Sequence, residues 1–152
     1  MSGSKHRHSV RRPDPGDERA TLHFLFFRAD YLRNLWHEAS NSAGDAGFDL
    51  SLEGGHGIPI WVLTTLHLAS LYTVLEGWRR VGLTDPTVDG LLADAANVQK
   101  LLQLRNAVFH FGAINNAAIL DVMDDTRMLS WARDLHDAFG AFMNGAQTGG
   151  AA

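Results

Sequence analysis

Four stretches of the chain place their apolar residues at helical intervals, and none sustains the alternation of a half-buried strand. In the first, Leu25, Ala29, Leu32, Trp36 and Ala39 step by 4, 3, 4 and 3. This predicts a helix from Glu18 to about Ser42, opened by Asp17 and Glu18 at the positive end of its dipole. Phe24, Phe27, Tyr31 and Leu35 widen the apolar face beyond what one neighbouring helix covers, which predicts a second chain against it. Gly44, Gly47, Gly54, Gly55 and Gly57 break the following stretch.

Pro59 then serves as the first-turn proline of a second helix, which runs to about Val81 and closes near Gly82. Leu63, His67, Leu71, Val74, Trp78 and Val81 form its stripe, with Thr65, Ala69, Tyr72, Thr73 and Glu76 opposite. Thr84-Asp85-Pro86 and Asp89-Gly90 read as a turn with one short helical turn. A third helix follows, from Leu91 or Asp94 to Phe111, ended by Gly112 and Asn115-Asn116. The last helix falls within Asp124 to Asn144 on the stripe Met128, Ala132, Leu135, Phe139 and Phe142. These elements predict an all-α fold, an up-and-down four-helix bundle with an additional short helix.

At 152 residues the chain suits one domain, read as 17–144, with a disordered basic tail over 1–16 and a flexible C-terminal tail over 145–152. Residues 1–16 hold Lys5, Arg7, Arg11 and Arg12 against Asp14, so a net charge of −4 for the whole leaves −7 on the rest. An acidic body excludes broad, sequence-independent grip on duplex nucleic acid, and any nucleic acid must meet a focused site or the tail. With no cysteine there is no disulfide, thiolate metal site or cysteine nucleophile. The absence of an apolar run long enough to span a bilayer, and of a leader-like segment, predicts a cytoplasmic protein.

Chemistry concentrates on the third helix. At about 100° per residue, Gln99, Gln103, Asn106 and His110 share a narrow polar stripe. Leu101, Leu104 and Val108 flank it on one side, and Val98, Leu102 and Phe109 on the other. Arg105 falls between the two apolar sets, where an unpaired guanidinium costs several kcal/mol and must reach solvent or an acceptor. Glu76, the only formally charged residue from Ile58 to Trp78, is one acceptor, and an incoming phosphate is another.

Arg105-Asn106-Ala107-Val108-Phe109-His110 resembles the motif of HEPN domains, in which an arginine, a polar residue and three further residues precede a histidine late in a bundle helix. Only this hexapeptide is specific, with weaker likeness in Leu75-Glu76-Gly77-Trp78, while residues 18–144 fit the family's helical architecture. The resemblance implies a metal-independent endoribonuclease without a cofactor, acting as a toxin or defence protein from a cleft between two copies of the chain. A neutralising antitoxin or similar partner is implied with it. Gly112 stands where a subgroup carries a nucleotidylated tyrosine, so that regulation does not follow.

The residues suit this chemistry on their own terms. RNA is cut without metal when a base takes the proton of its 2′-hydroxyl and a cation stabilises the phosphorus oxygens. His110 is then the general acid or base, Arg105 the phosphate clamp, Asn106 a support for the imidazole or substrate, and Glu76 the group that orients Arg105. One histidine does not easily serve as base and acid on opposite sides of the phosphate, which favours a homodimer that places two copies together. A dimer built on the first helix and on the Thr65, Ala69, Tyr72 and Thr73 face of the second brings two such pairs together. The alternatives are a non-catalytic module that binds nucleotide, RNA or a partner protein, and a purely structural bundle in which Arg105 pairs with Glu76 and His110 caps its helix.

The other candidates point to structure. His67, on an apolar stripe, reads as a hydrogen-bonded core residue, and His23, His37 and His136 lack a metal-binding companion at helical spacing. His6 and His8 belong to the tail, and His56 sits among glycines. Asp121, Asp124 and Asp125 read as an acidic loop and helix start, and Trp61, Trp78 and Trp131 as packing residues. No metal site is expected.

Overall fold

The computed structural model describes residues 15–42, 60–109 and 116–148, which form six α-helices and no strand. The helices are α1 (Pro15–Ser42), α2 (Ile60–Val81), α3 (Pro86–Leu92), α4 (Ala95–Phe109), α5 (Asn116–Asp124) and α6 (Thr126–Thr148). The expected all-α class is therefore found, with four long helices and two short ones. The tail before Pro15, the glycine-rich connection and residues 110–115 lie outside the described residues.

Local chemistry sets the boundaries. Gly82 ends α2 at φ +72°, with its N–H on the Arg79 carbonyl at 3.2 Å and the Leu83 N–H on the Trp78 carbonyl at 3.3 Å. Such a turn needs a left-handed residue, which glycine supplies without a Cβ penalty. Asp85 caps α3 by accepting from the Thr87 and Val88 N–H groups at 2.9 and 3.1 Å, and Pro86 occupies the first turn. Asp94 caps α4 by accepting from the Asn97 N–H at 3.1 Å. Asp125 caps α6 through the Arg127 and Met128 N–H groups at 3.1 and 3.0 Å, and it also meets Lys100. The Lys100 ammonium holds the Asp125 carboxyl below its ordinary range.

Two boundaries differ from expectation. Helix α5 occupies a stretch read as loop and end, with Val122 buried and Ile119 packed against the core. The last helix continues to Thr148 instead of fraying at Gly145, since one glycine costs about 1 kcal/mol of helix propensity and does not by itself stop a helix.

Helix α2 is the centre of the fold and packs on α1, α4 and α6. Its Leu71, Val74 and Trp78 join Leu101 and Leu104 of α4 and Met128, Leu135 and Phe139 of α6 in one core. Trp78 lies with its ring centroid 5.4 Å from Phe139 and 4.7 Å from Phe142. Gly77 admits α1, because a Cβ there would stand 2.9 Å from Leu22 Cδ1. Helix α3 is tied to α6 by the Trp131 Nε1–H, which donates to the Leu91 carbonyl at 3.0 Å.

Two expected surfaces part company. Thr65, Ala69 and Tyr72 are buried inside the chain, and Thr73 accepts from Arg28 of α1 at 3.0 Å, so the back face of α2 is covered by the chain's own helices. The broad face of α1 is open instead: Phe24 is 66% exposed, Phe27 67% and Tyr31 56%. Among the described residues no helix is long and apolar enough to cross a membrane.

Candidate functional site

The site is built where α4 crosses α2. On α4, burial of Val98, Leu101, Leu104 and Ala107 fixes which face meets the core and leaves Phe109 half exposed. Arg105 emerges at the edge of that face with 21% of its side chain accessible. Its Nη2 donates to both carboxylate oxygens of Glu76, at 2.7 and 2.8 Å, and its Nη1 donates to Asn106 Oδ1 at 2.8 Å. The guanidinium carbon stands 5.5 Å from the centre of the Tyr72 ring. A planar cation is thereby held on three sides, by a carboxylate, an amide oxygen and an aromatic face.

Three of the four expected residues thus come together. Arg105 finds Glu76, as an arginine among apolar neighbours and a lone acid on an apolar helix each require. Asn106 turns its amide oxygen to Arg105, which leaves its Nδ2 as a donor. His110 lies outside the described residues, next in sequence after Phe109, the last residue of α4. The sequence reading missed Tyr72. It stands four residues before Glu76 on α2, a spacing that stacks both side chains on one helix face and was the available signal.

Glu76 also borders an open groove of about 620 Å³ between α1 and α2. Leu22, Leu25 and Gly77 contribute apolar lining, while Thr21, Thr73 and Arg80 add polar groups. Arg80 reaches Glu18 at 3.5 Å across it. The Arg105 cage and this groove share Glu76.

The remaining histidines separate clearly. His67 is hydrogen-bonded, as its stripe position implies, but only partly buried, with Nε2 3.2 Å from His136 Nδ1. His136 Nε2 is 3.1 Å from Asp30 Oδ1. Burial pushes His67 down to about 3 and lowers His136, in both cases because the charged ring loses its water. His6, His8 and His56 lie outside the described residues. Among the described residues no group of three or more histidines and carboxylates is placed to hold a metal ion, and Asp125 serves as a helix cap.

No family model, curated protein or solved structure matches the chain.

Proposed function

We propose that the chain is an endoribonuclease of HEPN type that cuts RNA without a metal ion, with Arg105 as phosphate clamp and His110 as general acid and base. The observation that carries this reading is the Arg105 cage. Glu76, Asn106 and Tyr72 hold the guanidinium at the surface of α4, five residues before a histidine. Its orientation is set in advance, so little side-chain entropy remains to be lost when a phosphate arrives.

In the reaction the 2′-oxygen attacks phosphorus as His110 takes its proton. Arg105 and the Asn106 Nδ2 group donate to the non-bridging oxygens, and the bond to the 5′-oxygen breaks. That oxygen leaves with a proton from the partner subunit's His110, giving a 2′,3′-cyclic phosphate and a 5′-hydroxyl. A twofold pair of chains, each an up-and-down bundle of α1, α2, α4 and α6, supplies both histidines. The exposed Phe24, Phe27 and Tyr31 of α1 are the apolar surface on which the copies join. A toxin or defence role, with a neutralising partner, follows from the same family reading.

The Arg105–Glu76 pair also favours a second reading, because a guanidinium already paired with a carboxylate suits a module that binds nucleotide, RNA or a partner protein without cutting. Incubating the purified chain with mixed RNA in excess EDTA separates the two. New 2′,3′-cyclic ends that disappear in Arg105→Ala and His110→Ala support the nuclease. RNA retained on the protein but left whole supports the binding module, and cleavage only with added metal defeats the proposed mechanism.

A further inference from the structure

Away from the Arg105 cage, three titratable side chains from three helices form a continuous line whose middle member is buried. Asp30 belongs to α1, His136 to α6 and His67 to α2. His136 is only 1% exposed, whereas Asp30 keeps 43% of its side chain in reach of water. Other charges and titratable groups face the line: Arg33 and His37 from α1, and Asp137 from α6. Arg33 is itself bound to Asp137 at 2.5 Å, and Asn34 donates to the other oxygen of Asp30 at 3.3 Å.

The hydrogen bonds fix the protons. An ionised carboxylate only accepts, so His136 must donate to Asp30 from Nε2. In a neutral ring Nδ1 is then an acceptor, and His67 must donate to it from Nε2. The line runs one way, from His67 through His136 to Asp30, and leaves Nδ1 of His67 as the one ring nitrogen whose lone pair the line does not use. A first added proton has only that place and puts an imidazolium inside the fold. A second has none unless the bond between the two histidines is given up.

We propose that the line of His67, His136 and Asp30 is an acid-sensitive latch that fastens α6 to α1 and α2. The same seam holds the Phe26 ring 5.1 Å from that of His136, and Phe26 Cζ would stand 3.3 Å from a Cβ at position 140, where glycine leaves the room. Both imidazoles resist protonation in the fold and regain ordinary basicity, near 6.5, when it opens. Protons therefore favour the opened chain. The latch is intact above about pH 6.5 and is progressively weakened as pH falls from there towards 3. His67 held neutral lowers the folding equilibrium by about tenfold per pH unit within that window, and His136 acts in the same direction.

The test compares urea unfolding of the full chain with that of His67→Gln between pH 7.5 and 4.5. Glutamine keeps a donor where Nε2 stood and cannot be protonated. The variant is expected to lose about a hundredfold less of its folding equilibrium than wild type between pH 7.5 and 4.5, and equal acid sensitivity overturns the latch. A measurement on wild type stands if the variant does not fold. Nitrogen NMR of the imidazoles at pH 7 is expected to show His67 and His136 each protonated on Nε2 alone. An Nδ1-protonated tautomer or a charged ring at either position overturns it.

Discussion

Arg105 Nη2 sits between the two carboxylate oxygens of Glu76, at 2.7 and 2.8 Å, while Nη1 of the same guanidinium faces Asn106 Oδ1 at 2.8 Å. With the carboxylate 44% exposed, the ion pair contributes at most about 1 kcal/mol to stability, so its main effect is on where the guanidinium points. Arg105→Ala is expected to lower RNA cleavage on the order of a hundred- to a thousandfold, the loss associated with removing one preorganised donor. Arg105→Lys keeps the charge but not the planar fork, and its rate is expected to stay within about tenfold of the alanine variant. Single-turnover cleavage on one labelled RNA measures both.

Glu76→Gln retains an acceptor of the same shape and removes the charge that anchors the guanidinium. Cleavage is expected to fall on the order of ten- to a hundredfold through misplacement of Arg105, with the folded state preserved. A rate equal to wild type would remove Glu76 from the site.

A second copy is expected on α1. Light scattering at micromolar concentration should give a mass near twice 16.7 kDa, and Phe24→Glu with Phe27→Glu should give the monomer with its helical circular dichroism unchanged. A wild-type monomer would take away the second histidine and leave the binding module as the better account.

Gly82→Ala forces a side chain into the left-handed turn that closes α2, and it is expected to destabilise the chain by about 1 kcal/mol in urea unfolding. Gly82→Asn should lose less, since asparagine tolerates that conformation. Leu101→Ala empties a position with no exposure at all and is expected to be costlier, at about 2–5 kcal/mol.

What could be read from the sequence was what local chemistry decides. Gly82 marked the end of α2 because glycine favours a left-handed stop, while Pro59, expected in the first turn, lies outside the described residues. Glu76 was legible as one acceptor for Arg105 because each is a lone charge in apolar surroundings. Helix α5 was missed because its nine residues begin at Asn116 and end at Asp124, inside the pairs Asn115-Asn116 and Asp124-Asp125, whose turn preference hides the short apolar spacing of Ile119 and Val122. The back face of α2 was misread as open since its neutral, small residues look the same whether a second chain or the chain's own helices cover them. The line from Asp30 to His136 spans 106 positions and that from His67 to His136 spans 69, distances over which no periodicity reports.

The packing of Trp78 between Phe139 and Phe142 also equips the molecule with an optical gauge. An indole fixed at 1% exposure against one tilted and one edge-on ring is a chirally coupled chromophore, whose near-ultraviolet dichroism depends on the side chains keeping one arrangement. Because one of those rings comes from α2 and two from α6, that signal tracks the α2–α6 junction itself. Conditions that loosen the junction while leaving the helices wound will erase it before the far-ultraviolet spectrum changes.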